Sequence, residues 1–73
     1  MKPIYRQILL QMTDTEWHTA GDISVKLGVT VHVIGPSIAV LCAQRLVAKT
    51  TDDKTHYWAI TSHGIAALHA SDE

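Results

Sequence analysis

Five histidines and one cysteine are the side chains in this 73-residue sequence best suited to bind a metal or to carry out acid–base or nucleophilic chemistry. Four of the histidines are candidate metal ligands: His18, His56, His63 and His69. Their spacing lacks the short pairs typical of structural zinc sites, and the single Cys42 cannot complete a cysteine-rich set. The sequence also has no glycine-rich phosphate loop, no nucleophile–base set and too little chain to enclose a substrate pocket. We therefore predict no metal, no cofactor and no enzymatic activity.

The single cysteine and the lengths of the apolar runs indicate a cellular compartment. One cysteine excludes an intramolecular disulfide, which suits a reducing cytosol. No apolar run approaches the ~18 residues that a membrane-spanning helix needs. The N-terminal Met1-Lys2-Pro3 does not begin a signal peptide. We predict a cytoplasmic protein with no membrane partner, in which Cys42 is a buried, inert thiol.

The composition indicates one small folded domain over 1–73. Hydrophobic residues make up 47% of the sequence and charged residues 18%, which argues against disorder. A domain of this size buries only a modest core. We therefore expect self-association, because a dimer interface would bury additional apolar surface.

The formal net charge is −1, although most proteins that bind nucleic acids are basic. Protonation of all five histidines would bring the net charge to +4 (−1 plus 5). Any affinity for anions is therefore expected to increase below pH ~6.5, where free histidine titrates.

A first helix is predicted near the N-terminus. Ile4, Ile8 and Met12 recur at helical spacing and place an amphipathic helix over about 3–12. Pro3 suits the first turn of this helix, where no backbone donor is needed.

A second short helix is predicted between Thr19 and Gly28. Thr19 and Asp22 resemble a capping box at its start, and Gly28 is a natural left-handed stop at its end. Thr30 then offers an N-cap for a further helix. Trp17, which precedes the second helix, is expected to anchor the connection in the core.

The segment after Gly28 supports two interpretations. Alternating β-branched residues over 29–34 are typical of a strand. An apolar residue every three or four positions from Ile34 to Leu41 predicts instead one face of a helix. We favour a helix that begins within 31–35, with Pro36 near its start.

The C-terminal part is predicted to form a hairpin and a last helix. Two strand-like runs, 46–50 and 56–60, are separated by the polar turn 51–55. A short helix is predicted over 62–70, and the tail 71–73 is expected to fray.

These elements carry a set of motifs in a fixed order. The motifs are Gly28-Val29-Thr30, Ile34, Ile38, Leu41, Leu46-Val47 and Ile60-Thr61-Ser62-His63-Gly64. In this order and spacing they resemble bacterial winged-helix regulators of the MarR and ArsR kinds over roughly 19–68. The resemblance implies an α+β, mainly α fold: a winged helix-turn-helix of three helices, a two-stranded β-hairpin wing and a short C-terminal helix.

The resemblance also implies a function and a set of contacts. Regulators of this kind bind double-stranded DNA as dimers, with a recognition helix in the major groove and the wing on the backbone. Carried onto this sequence, the base-facing positions are His32, Val33, Gly35, Pro36, Ser37, Ala39 and Val40. The residues predicted to contact DNA are Thr30, His32, Val33, Ser37, Arg45, Lys49 and Lys54. We therefore predict a small DNA-binding transcriptional regulator that acts as a homodimer.

A second hypothesis comes from the apolar character of residues 33–40. Recognition helices usually carry Arg, Lys, Gln or Asn, which match phosphates and base edges, whereas only His32 and Ser37 are polar here. Either the helix is rotated so that part of this face is core, or the face binds a protein. The alternative prediction is a winged-helix interaction module with little or no affinity for DNA, which binds a protein partner through 33–40.

Overall fold

The computed structural model describes residues 1–71 and contains four helices and a two-stranded antiparallel sheet. In chain order the elements are α1 (Pro3–Leu10), α2 (Ala20–Leu27), α3 (Val31–Ala43), β1 (Val47–Asp52), β2 (Thr55–Ile60) and α4 (Ser62–Ser71). This order confirms the predicted α+β, mainly α winged helix-turn-helix. Of the tail predicted to fray, Ser71 ends α4, and 72–73 lie outside the described residues.

Helix α1 begins with Pro3, as predicted, because the first helical position needs no backbone N–H donor. It ends at Leu10, two residues before the predicted end, and the chain continues in turns. Ile8, Leu9 and Met12 are fully buried. The turn that follows α1 therefore contributes to the core as well as the helix itself.

Helix α2 has the predicted cap at each end. The Thr19 hydroxyl accepts a hydrogen bond from the backbone N–H of Asp22 at 3.1 Å. Gly28 ends the helix with a φ of 66°, a left-handed conformation that glycine adopts without a steric penalty. The carboxylate of Asp22 bonds to the ring of His18, so its partner differs from the one that a capping box would give it.

Helix α3 is continuous over 31–43, which rules out the strand considered for 29–34. Pro36 is the sixth residue of the helix and thus lies in its second turn, where its missing N–H leaves the helix without one internal hydrogen bond. Thr30 occupies the N-cap position, but its side chain makes no capping hydrogen bond. The predicted N-cap residue is therefore confirmed in position, whereas the side-chain hydrogen bond expected of it is not formed.

The hairpin is longer, and its turn shorter, than predicted. Strands β1 and β2 pair from Val47↔Ile60 to Asp52↔Thr55, which leaves a two-residue turn at Asp53-Lys54. These two residues have φ values of 48° and 67°. Positive φ at both central residues matches the right-handed twist of the strands, and it is usually provided by Asn-Gly or Asp-Gly.

Thr61 connects the base of the hairpin, through hydrogen bonds, to the chain that follows α3. Its hydroxyl lies 2.7 Å from the carbonyl oxygen of Arg45 and 3.0 Å from that of Leu46, and it accepts the N–H of Gly64 at 3.1 Å. A Cβ at Gly64 would overlap the Leu46 carbonyl oxygen and lie 2.7 Å from Ile60 Cγ1. Glycine at this position therefore allows α4 to pack directly against the chain after α3.

The connection between α1 and α2 differs from the prediction. Trp17 is 50% exposed, so the expectation that it anchors the core is wrong. His18 takes the inward position and is only 5% exposed. Because His18 pairs with Trp58 of β2 as an isolated antiparallel bridge, successive side chains point to opposite sides, and the outward one is Trp17.

The core is formed by all the helices and the base of the hairpin. Its buried members are Ile8, Leu9, Met12, Ile23, Ile34, Ile38, Leu41, Val47, Ile60 and Leu68. Within residues 1–71, no single helix has the length and apolarity needed to span a bilayer. Taken together, α2 and α3 have the required length and apolarity, but the two helices meet at a bend of 118°.

Candidate nucleic-acid interface

The side of α3 opposite the core is apolar and faces solvent. Val33 is 45% exposed and Val40 38% exposed, and Pro36 and Ala39 are exposed as well. The interpretation that a rotated helix buries part of this face is therefore wrong. His32 is the exposed polar residue on the same side, and the helix contains no charged residue.

Ser37 is not part of this exposed face. It is 8% exposed and its hydroxyl donates to the Val33 carbonyl at 2.8 Å. The helical period places it beside Ile34 and Ile38, which are fully buried. The prediction that Ser37 contacts DNA is corrected on this ground, because its side chain is directed into the protein.

Thr30 and Arg45 lie at the two ends of α3, and both are exposed. The Thr30 hydroxyl, free of a capping role, lies at the N-terminus of the helix, where backbone N–H groups favour anions. Arg45 follows the C-terminus with a φ of 63°. A left-handed conformation costs a side chain other than glycine on the order of 1 kcal/mol.

Lys49 and Lys54 are the two cations of the hairpin, and both are exposed. Lys54 lies at the tip in a left-handed conformation, beside Asp53. Lys49 is paired with Trp58 in the middle of the hairpin. The hairpin therefore has one positive charge at its tip and one midway along β1.

A shallow groove separates α3 from the hairpin. It is lined by Gly35, Ala39, Cys42, Ala43, Lys49 and Trp58. Cys42 is partly buried against the core rather than fully buried, and it forms no disulfide. Small side chains on α3 leave this groove open, with Lys49 on its hairpin side.

The buried His18 is a structural centre that the sequence analysis did not identify. Its Nε2 lies 2.8 Å from Asp14 Oδ1, and its Nδ1 lies 3.0 Å from Asp22 Oδ2. Its backbone N–H and carbonyl each bond to Trp58 at 2.8 Å. One residue therefore links the turn after α1, the start of α2 and the hairpin. The spacing of Asp14, His18 and Asp22, four residues apart each time, is the signal that could have revealed it.

The electrostatics of this cluster favour a charged histidine. Burial lowers the pKa of His18, but hydrogen bonds with Asp14 and Asp22 outweigh it, so the pKa lies above its ordinary value. The hydrogen bond with His18 in turn holds the pKa of each carboxyl below its usual range. Lys26, 3.6 Å from Asp22, also lowers the pKa of that carboxyl, and its positive charge acts against protonation of His18 without reversing the upward shift of the His18 pKa. The protonated ring can thus donate to both carboxylates.

No grouping of three or more His, Cys, Asp or Glu side chains in the described part of the chain is arranged to hold a metal ion. The two carboxylates at His18 each bond to a different ring nitrogen. The cluster is therefore a hydrogen-bonded triad of His18 and two carboxylates, which is ionic when the ring is protonated.

No protein-family model and no curated protein sequence matches the chain. Solved structures do match its fold. BpsR of Bordetella bronchiseptica superposes with a TM-score of 0.88 at 17% identity, over 96% of this chain and 52% of BpsR. A MarR family protein from Bacillus stearothermophilus gives 0.84 at 16% identity, over 96% and 50%. The transcriptional regulator BldR from Sulfolobus solfataricus gives 0.86 at 21% identity, over 99% and 53%.

These similarities define the class of fold. The chain has the winged helix-turn-helix fold that MarR-family proteins share, with α2 and α3 as the helix-turn-helix and β1–β2 as the wing. It spans about half the length of BpsR and of the Bacillus protein.

Proposed function

We propose that this chain is a DNA-binding transcriptional regulator that places α3 in the major groove and its hairpin on the sugar–phosphate backbone. The observation that supports this most is the position of three exposed cations around an uncharged helix. Arg45 lies at the end of α3, and Lys49 and Lys54 lie on the hairpin. Phosphates can approach such a helix without meeting a carboxylate on it, and the flanking cations attract them.

The proposed contacts are Thr30, His32, Val33, Arg45, Lys49 and Lys54. The similar proteins are in keeping with this assignment, since BldR is described as a transcriptional regulator and BpsR as a protein whose DNA binding is regulated by 6-hydroxynicotinic acid.

We further propose that residues 1–73 act as one non-enzymatic domain in the cytoplasm. A homodimer would place two recognition helices in successive major grooves.

The hairpin turn offers a test in which stability and DNA affinity change independently. Lys54→Gly removes a cation, whereas Asp53→Gly removes an anion, and both relieve a left-handed conformation. Both variants should therefore raise the free energy of unfolding, by on the order of 1 kcal/mol. Lys54→Gly should weaken binding to duplex DNA and reduce the salt slope by about one. Asp53→Gly should strengthen binding.

The measurements are thermal unfolding and fluorescence anisotropy with a duplex of random sequence. Lys54→Arg is the control that retains the charge, and it should bind as the wild type does. Equal DNA affinity of the wild type and Lys54→Gly would contradict the wing contact.

The exposed apolar face supports a second candidate function, a module that binds a protein partner. Val33, Pro36 and Val40 are exposed together on α3, and contiguous apolar surface often marks protein interfaces. Association through such a face would depend weakly on salt. Binding to DNA would weaken steeply as salt is added, because counterions are released.

A further inference from the structure

We infer that α3 recognises thymine-rich DNA by contact between its exposed apolar side chains and the thymine C5 methyl groups in the major groove. This inference rests on the proposed function, because it concerns which sequences the same surface selects. The major groove presents a methyl group at each thymine and hydrogen-bonding atoms at every base. Side chains of different chemistry therefore read different bases.

The exposed face of α3 has little capacity for hydrogen bonds. Of the positions predicted to face DNA on α3, only His32 and Ser37 are polar. Ser37 is buried, and its hydroxyl donates a hydrogen bond to the Val33 carbonyl oxygen. His32 is therefore the one side chain of this face that can donate to or accept from a base edge. Within 31–43, one exposed side chain can therefore form hydrogen bonds with a base edge, whereas several are apolar.

The same face has a continuous apolar stripe. Val33, Pro36 and Val40 follow one another at intervals of three and four residues, so they lie on one side of the helix. From Val33 to Val40 the stripe is about 10 Å long at the rise of an α-helix. Apolar contact with thymine methyl groups is the base readout that such side chains provide.

The charge around the stripe favours DNA over a protein as its occupant. Arg45 follows the helix, Lys49 and Lys54 lie on the hairpin together with Asp52 and Asp53, and no residue of α3 is acidic, so the side chains that flank the stripe carry a net charge of +1 (+3 minus 2). A polyanion brings its phosphates to these cations as the apolar stripe enters the groove. An apolar protein surface would leave the cations without partners.

Replacement of thymine by deoxyuridine tests this inference, because it removes the methyl group and retains base pairing. The two probes are alternating dA·dT and dA·dU duplexes of equal length, measured by fluorescence anisotropy at low salt. We expect the dA·dT duplex to bind more tightly, by about four-fold for each methyl group that is buried. Their salt slopes should be equal, since the phosphates are the same. Methylation of cytosine at C5 in a dG·dC duplex should strengthen binding in the same way.

Serine substitutions assign the effect to the stripe. Val33→Ser and Val40→Ser should each bring the affinity ratio of the two duplexes closer to one. Val25→Ser is the matched control, because Val25 is 82% exposed on α2, outside the stripe. It should leave the ratio unchanged.

The possible failures are distinguishable. Salt-dependent binding with equal affinity for dA·dT and dA·dU would overturn the thymine inference and leave the regulator proposal in place. Absence of binding to every duplex at low salt would overturn the regulator proposal and the inference with it. A change of oligomeric state in Val33→Ser or Val40→Ser, measured by sedimentation, would assign the stripe to contacts between copies of the chain and overturn the inference.

Discussion

His18 holds three parts of the fold together through different groups of one residue. Its two ring nitrogens face carboxylates from the turn after α1 and from the first turn of α2, and its backbone pairs with β2. The helix-turn-helix and the wing therefore share one titratable residue. Because both carboxylates bond to the ring, these contacts are strongest when the ring is protonated and the carboxylates are ionised.

The contribution of these three ionisable groups should appear in the pH dependence of the free energy of unfolding. The pKa of His18 is raised in the folded state, so its contribution is complete below the unfolded pKa near 6.5 and is lost as pH rises through the folded pKa. The pKa values of Asp14 and Asp22 are lowered, so their contribution is present above about pH 4 and is lost as pH falls. We expect the free energy of unfolding to be highest near pH 5–6.

Chemical denaturation from pH 3 to pH 9 measures this profile. His18→Gln should remove most of the decline above pH 6. His32→Gln, at an exposed position of α3, is the control and should retain that decline. An identical profile in His18→Gln and the wild type would show that the ion pairs do not determine it.

At the scale of the elements, two helical glycines have different surroundings. Gly64 lies in α4 where a Cβ would overlap the Leu46 carbonyl oxygen, whereas a Cβ at Gly21 in α2 would meet the Thr19 hydroxyl oxygen at 3.9 Å, an ordinary contact. The motif Ile60-Thr61-Ser62-His63-Gly64 therefore reflects packing. Its threonine caps α4 and bonds to the end of α3, and its glycine permits close approach.

Alanine substitutions at these two glycines should change stability in opposite directions. Gly64→Ala should lower the free energy of unfolding by about 1–3 kcal/mol, as expected for overpacking against backbone. Gly21→Ala should raise it by roughly 0.5–1 kcal/mol, because alanine restricts the unfolded chain and fits a helix. In thermal unfolding, 1 kcal/mol corresponds to roughly 4–8 °C for a domain of this size. A Gly64→Ala variant as stable as the wild type would contradict the close approach.

The elements with repeated apolar spacing were predictable from sequence. The period from Ile34 to Leu41 identified α3 and its buried face, and Thr19 and Gly28 identified the ends of α2. In the short extended segment before α2, the sequence did not predict which side chain points into the core. Trp17 is more apolar than His18, yet Trp17 is exposed and His18 is buried. The carboxylates that make burial of His18 favourable lie four residues before and after it in the sequence, but the fold determines that both of them reach its ring.

The candidate site was predictable in part for a similar reason. The resemblance selected exposed positions such as His32, Val33 and Lys54. Ser37 was misplaced because the resemblance assigned it by its position in the motif, whereas its spacing of three residues from Ile34 and four from Leu41 places it on the buried face of α3. The left-handed conformations at Arg45 and Lys54 could not be read from residue type, because neither residue favours them.

At the scale of the whole molecule, the formal net charge overstates the negative charge that acts on a bound DNA. The formal net charge is −1 with neutral histidines. Protonation of His18 alone brings it to 0 (−1 plus 1). Asp14 and Asp22 are already paired with His18, and Asp22 is also paired with Lys26. These two carboxylates therefore contribute less repulsion toward DNA than their formal charge suggests.

The salt dependence of DNA binding is the most direct test of the proposed function. The measurement is the Kd of the wild-type chain for duplex DNA by fluorescence anisotropy, from 50 to 200 mM salt. If Arg45, Lys49 and Lys54 each neutralise one phosphate, log K should fall with a slope of about −2.7 per chain, or roughly 40-fold over this range. Two chains on one site would double the slope. Absence of binding at 50 mM salt, or an affinity that does not change with salt, would contradict the proposal that this winged helix binds DNA.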